Sequence, residues 1–147
     1  MLVKESVECR RTEVSRLALS DLLSTIHQIA VFSSDLDRSI TFYRDQLGAE
    51  FIVKFEPPGL AFFRFGETRL LLERNAPRAT LYFRIDDIDA SVESLRSKGI
   101  QFDAEPSLIH RDTEGLFGAA GAEEWMAFFR DPDDNVLAVA SQAPASN

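Results

Sequence analysis

The sequence predicts an α+β protein built from one βαβββ module used twice. Three observations carry that prediction. The tetrapeptide Ala-Phe-Phe-Arg occurs at residues 61–64 and again at 127–130, 66 residues later. Upstream blocks match in the same order. His27–Phe32 aligns with Thr80–Ile85 at an offset of 53, Leu36, Asp37 and Ile40 with Ile88, Asp89 and Val92 at 52, and Gly48 and Phe51 with Gly99 and Phe102 at 51. An ordered self-match of this kind marks a repeated structural unit. Within each block the apolar residues follow the period of one element, two for strands and about 3.6 for helices.

The elements follow in order. Residues 1–24 lie outside the repeat and carry four acids and four bases. Val14, Leu17, Ala18 and Leu22 fall near helical spacing and predict a short amphipathic helix. This extension reads as a segment packed on the body or partly frayed, with a dimer-clasping arm as the alternative. Residues 25–141 form a single domain of two modules, 25–75 and 79–141. Each module opens with a strand, at about 26–32 and about 79–85, followed by a helix. The first helix shows Leu36, Ile40, Tyr43 and Leu47 on one side; the second shows Ile88, Val92 and Leu95. Asp35 and Asp37, then Asp86, Asp87 and Asp89, lie where carboxylates cap a helix and meet its dipole. Gly48 and Gly99 suit the left-handed residue that ends a helix. A second strand follows each glycine, and the repeated tetrapeptide is the third. The turns Phe65-Gly66-Glu67 and Asp131-Pro132-Asp133-Asp134-Asn135 then lead into a fourth.

The copies differ in one link. Phe51 to Ala61 is 10 residues, whereas Phe102 to Ala127 is 25. The extra residues include Asp112–Glu124, rich in Gly and Ala. A link this long in a compact domain is commonly a lid or a binding loop.

Composition bounds the function. The net charge of −8 argues against nucleic acid, whose phosphates reward a basic face. No stretch approaches 18 apolar residues, so no membrane span is expected. Cys9 is the single cysteine, which rules out an intrachain disulfide and suits a reducing compartment. The first residues lack the apolar run of a secretory signal. The expected location is cytoplasmic.

The segments IHQIAVFSSDLDRSITFYRDQLGAEF, LYFRIDDIDASVESLRSKGIQF and WMAFFRDPDDNVLAVASQ resemble the vicinal oxygen chelate superfamily. Its members include glyoxalase I, extradiol dioxygenases, fosfomycin and bleomycin resistance proteins and methylmalonyl-CoA epimerase. FFRDPDDN is similar to the superfamily's F-x-DPxGN turn, with Asp134 in place of the usual Gly. The resemblance covers residues 25–141. It implies two βαβββ modules paired into a glyoxalase-like incomplete barrel around a cavity, and a homodimer.

The resemblance also implies where a metal would sit. Metal enzymes of the superfamily place a ligand at the start of each first strand and one in each fourth strand, often His or Glu. At the offset of 53 the first-strand positions are His27 and Thr80. The fourth-strand positions are Leu70 or Leu71, depending on the turn alignment, and Ala138. Glu73 shares a strand face with Leu71. Two ligands are lost and one is doubtful, whereas such sites need about three protein ligands. No metal cofactor is expected, and His27 and Glu73 are the weak candidates. His110 matches no ligand position.

Other side chains read as ligand-binding candidates. Leu81, Phe83 and Ile85 form an apolar face fit to lie under a helix, so Thr80, Tyr82 and Arg84 face the cavity, with His27, Ile29 and Val31 as their counterparts. Arg84 in a half-closed cavity favours a carboxylate or phosphate. Trp125, beside the long link, can floor a pocket. Arg64 and Arg130 match each other and suggest a shared structural role. Asp133 and Asp134 read as turn residues, and Glu114, Glu123 and Glu124 as a solvated loop.

The favoured function is a small-molecule-binding protein without an intact metal site, whose ligand contacts come from His27, Tyr82, Arg84, Trp125 and His110. The alternative is a metal-dependent lyase, isomerase or dioxygenase using Fe, Ni, Zn or Mn held by His27 and Glu73. A metal-free enzyme with Tyr82 or His27 as acid or base is the third reading.

Overall fold

The computed structural model describes residues 22–146. Val14, Leu17 and Ala18, and with them most of the predicted N-terminal helix, lie outside the described residues, as does Cys9. The first module comprises β1 (Gln28–Phe32), α1 (Leu36–Ile40, continued by a π-helical turn Thr41–Gln46), β2 (Glu50–Phe55), β3 (Leu60–Phe65) and β4 (Thr68–Glu73). The second comprises β5 (Thr80–Arg84), α2 (Ile88–Ser97), β6 (Ser107–Asp112), β7 (Ala122–Arg130) and β8 (Val136–Ala143). Both helices start as the carboxylates foretold. Asp35 accepts from the Arg38 N–H at 3.1 Å, and Asp87 from the Ala90 N–H at 3.0 Å. Gly48 and Gly99 have φ of 72° and 90°, a conformation open to glycine because it has no Cβ.

The two sheets have matching orders, β1-β4-β3-β2 and β5-β8-β7-β6. In each, the first strand pairs in parallel with the fourth, and the remaining neighbours are antiparallel. The chain is thus α+β with two four-stranded mixed sheets, and no barrel closes, as in an incomplete, glyoxalase-like barrel. One continuous core joins the modules. It takes Val31, Leu70, Leu72, Ala61 and Phe63 from the first sheet, Phe129, Leu137 and Val139 from the second, and Ile40, Phe42, Tyr43 and Val92 from the helices. Each sheet therefore has a core face and an outer face.

Strand register corrects the repeat alignment by one residue. Ile29 stands opposite Leu70, and Leu70 opposite Phe63. In the second module Leu81 stands opposite Leu137, and Leu137 opposite Phe129. Phe63 and Phe129 are equivalent, so Ile29 matches Leu81 at an offset of 52. A one-residue slip exchanges the two faces of a strand. Ile29 and Val31 consequently belong to the core with Leu81 and Phe83, not to the cavity side. The counterpart of Thr80 is Gln28, and His27 matches Ala79. The same ladders equate Leu71 with Ala138, which settles the fourth-strand alternative in favour of Leu71. The earlier offset counted apolar letters, and alternation alone cannot separate 52 from 53 in so apolar a strand.

The turn 131–135 is a polar joint between the modules. Tyr43 donates to Asp131 at 2.8 Å. The Asn135 amide donates to Asp131 at 2.7 Å and to the Phe32 carbonyl at 2.8 Å. Asp133, buried, accepts from Ser34 and pairs with Arg38 at 3.1 Å. Asp134 adopts φ 62°, the left-handed position. Asp133 thus does more than turn the chain. Arg64 and Arg130 do play parallel structural parts, pairing with Glu50 at 3.7 Å and Asp103 at 3.3 Å.

Nearly half of the longer link of the second module is strand. Ser107–Asp112 and Ala122–Arg130 form a hairpin, leaving residues 113–121 as its loop. Asp112 holds that loop by accepting the Leu116 and Phe117 N–H groups, both at 2.8 Å. These bonds, with the Phe117 bond foremost, draw its carboxyl below the usual aspartate range. Glu123 lies in β7, only 2 % exposed, and so departs from the solvated-loop reading. It accepts from the Ser146 N–H and hydroxyl at 2.5 and 2.6 Å.

Candidate functional site on the outer sheet faces

The outer face of the second sheet gathers most of the predicted side chains. Tyr82 stands opposite Ala138, and Ala138 opposite Phe128. Arg84 stands opposite Ala140, and Glu124 is flanked by Gln142 and His110. Strand alternation puts all of these on one face. Ala140 offers little side chain, and with Tyr82, Arg84, Glu124 and Gln142 around it lines a recess of about 190 Å³. Tyr82 is 57 % exposed and meets Phe128 edge to face, with ring centroids 6.1 Å apart. Arg84 donates to Gln142 at 3.3 Å, which aims the guanidinium along the recess. His110 lies 6.0 Å from the Phe117 ring at the foot of the loop.

Trp125 does not join this group. It stands opposite Ser141 on the other face of the sheet and lines a separate cavity of about 370 Å³ with Asp86, Pro106 and Ala143. The structure thus brings together Tyr82 and Arg84, leaves His110 on the same face but three strands away in a small cavity with Phe117, and puts Trp125 on the other face.

His27 lies in the other module, before β1. Its Nε2 is 2.9 Å from the Arg69 guanidinium. Arg69 lies over the Phe62 ring at 5.8 Å, and its Nε is buried with no acceptor among the described residues. Arg69 was missed at the sequence level. It sits in a run, Thr68-Arg69-Leu70-Leu71-Leu72, whose facing is decided only by pairing.

The donor set does not fit a divalent metal. Glu73 pairs with Phe32 and Arg69 with Gln28, so His27 and Glu73 lie at opposite ends of the β1–β4 ladder. Five residues of strand separate them by about 16 Å at ~3.3 Å per residue. The four positions made equivalent by register are Gln28, Thr80, Leu71 and Ala138, which offer an amide, a hydroxyl and two alkyl groups. Among the described residues no three His, Cys, Asp or Glu side chains converge as ligands. Also among them, no helix is long and apolar enough to cross a membrane.

Comparison with known proteins agrees with the architecture. Residues 25–139 match the family model described as Glyoxalase/Bleomycin resistance protein/Dioxygenase superfamily. An uncharacterized protein, YraH, of Bacillus subtilis (strain 168) is 26% identical over 133 residues, covering 76% of this chain and 94% of its own. The structure is similar to lactoylglutathione lyase from Agrobacterium tumefaciens, with a TM-score of 0.63 at 24% identity over 80% of this chain and 93% of that one. It is also similar to TnmS3, an antibiotic binding protein from Streptomyces sp. CB03234, with a TM-score of 0.62 at 21% identity over 82% and 98% of the two chains. At such identities the likeness to these two structures is one of fold. With the matching module order, the parallel β1–β4 and β5–β8 ladders and the family model spanning both modules, the chain belongs to the Glyoxalase/Bleomycin resistance protein/Dioxygenase superfamily.

Proposed function

We propose that this protein binds an aromatic or apolar small molecule bearing an anionic group, without a metal, on the outer face of the second sheet. The observation that carries the reading is Tyr82 and Arg84 lining one recess over Ala140. An aromatic wall and a guanidinium are the pair that a planar, anionic ligand needs. The recess is shallow for a ligand, since pockets commonly enclose roughly 300–1,000 Å³. A homodimer would deepen it by laying the first module's outer face, with Arg69 and Phe62, over the second module's face in the partner. Tyr82, and Phe55 at 50 % exposed, are large apolar side chains that such an interface would cover. The antibiotic-binding neighbour supports sequestration as the mode of action. The lone cysteine supports a cytoplasmic setting. The metal-enzyme alternative is disfavoured by the separation of His27 from Glu73.

The test is titration calorimetry with benzoate and 1-naphthoate, with light scattering for the dimer and elemental analysis for metal. Arg84→Ala should weaken binding about tenfold, the value of one charge-assisted hydrogen bond. Near-stoichiometric Fe, Ni, Zn or Mn that disappears in His27→Ala overturns the metal-free reading.

A further inference from the structure

The two modules share one architecture, so a side chain that one copy carries and the other does without is not there for the scaffold. In the first module Arg64 stands opposite Arg69. The equivalent pair in the second module is Arg130 and Val136. Arg64 and Arg130 each face an acid, Glu50 at 3.7 Å and Asp103 at 3.3 Å. Arg69 and Val136 hold the same place in their sheets, and the valine shows that the fold needs no cation there. His27 is likewise equivalent to Ala79, so the imidazole beside Arg69 also belongs to one copy alone.

The added cation is not neutralised. Among the described residues Arg69 enters no ion pair. Like charges directly opposite each other on neighbouring strands repel. A guanidinium can only donate, so Arg69 Nη2 donates to His27 Nε2 at 2.9 Å. Its Nε is buried without an acceptor among the described residues, and its charge lies 5.8 Å from the Phe62 ring. Arg69 is therefore half-buried, held in place and short of negative charge, on a chain whose net charge is −8. A partly dehydrated guanidinium attracts an anion more strongly than one in open water.

We propose that Arg69 and Arg64 form an oxyanion site on the outer face of the first sheet, for the phosphate or carboxylate group of a small molecule. The two guanidinium groups supply the charge and the N–H donors. His27 is a positioning residue, which fixes the plane of the Arg69 guanidinium by accepting one of its five N–H groups. The site shares no residue with the recess of Tyr82 and Arg84 and is complete within one chain, so it stands independently of the function proposed above.

The chain has two histidines, so the imidazole signals of His27 and His110 can be followed separately by NMR at fixed pH. Titration of the full chain with phenyl phosphate and, separately, with benzoate should shift the His27 signals saturably, and the ligand that saturates at lower concentration identifies the preferred group. Arg69→Ala should weaken this binding about tenfold, the value of a charge-assisted hydrogen bond. Arg69→Met keeps the stem over Phe62 and should show the same loss with circular dichroism unchanged. Arg64→Ala, at the more exposed partner, should weaken it about threefold. Arg84→Ala tells the two sites apart, and the His27 shift should persist in it. The proposal is overturned if neither ligand shifts His27 saturably, or if the shift survives Arg69→Met. It is also overturned if Arg84→Ala abolishes the shift, which would place the anion in the recess of the second sheet.

Discussion

The phenolic hydroxyl of Tyr43 donates to the Asp131 carboxylate at 2.8 Å, joining the first module's helix to the second module's final turn. Both residues are buried. Burial, and then the neighbouring Asp131 charge, push the Tyr43 hydroxyl far above the usual tyrosine range. Removing the hydroxyl leaves a buried carboxylate with one partner fewer. Tyr43→Phe should destabilise the protein by about 1–3 kcal/mol in urea unfolding. The sign of the pH effect follows from the raised value. The folded protein keeps this proton where the unfolded chain loses it, so the contribution is intact below pH ~10 and is lost as pH rises beyond. Tyr43→Phe should therefore flatten the alkaline loss of stability.

Asp134 occupies a left-handed position at φ 62°, where a side chain other than glycine's is strained. Asp134→Gly relieves the Cβ contact, although the unfolded chain gains freedom in return. A net gain of about 0.5 kcal/mol is expected, read as a higher melting temperature. A loss of stability would show that the Asp134 side chain makes a contribution of its own.

Glu123 ties β7 to the C-terminal segment through Ser146, with Arg111 at 3.6 Å. The Ser146 bonds, and less strongly Arg111, hold its carboxyl below the usual glutamate range. A depressed value means that the stabilisation is present above the unfolded pKa of ~4.3 and is lost as pH falls through the folded value. Wild type should be more stable than Glu123→Gln at pH 7, and the difference should close in thermal melts taken toward pH 3.

The corrected register makes a prediction about metals. If the superfamily's ligand positions fall on Gln28, Thr80, Leu71 and Ala138, restoring donors there should create a site. Gln28→His, Thr80→His, Leu71→Glu and Ala138→Glu together should confer uptake of divalent metal, measured by elemental analysis of dialysed protein. Moving the first of these back to the native His27, with Gln28 retained, should abolish that uptake, since neighbouring strand positions face opposite ways. Equal uptake by both would refute the offset of 52.

The order and type of the elements were legible in the sequence because they rest on local chemistry. Asp35 and Asp87 cap helices, Gly48 and Gly99 end them, and Leu81, Phe83 and Ile85 alternate toward the core. That same alternation turns Tyr82 and Arg84 away from the core. What failed was β1, where Ile29, Ala30, Val31 and Phe32 are apolar on both faces, so periodicity could not say which face is which. The facing of Trp125 was not legible for a related reason, since it depends on a register with β8 that nothing local specifies.

The sequence by itself determined a tandem βαβββ chain, its caps and turns, and the poverty of metal donors in the matching strands. The tertiary structure alone decided which residues share a face. It set the repeat offset at 52, turned Ile29 and Val31 into the core, put Tyr82 and Arg84 beside one recess with His110 three strands away and Trp125 on the other face, and made Asp131, Asp133 and Asn135 a joint between modules. The physical reason is that capping and turn chemistry act within a few residues. Strand register and inter-module hydrogen bonds are instead chosen by contacts between segments up to about a hundred residues apart, as in Asn135 and Phe32, whose separation is 103.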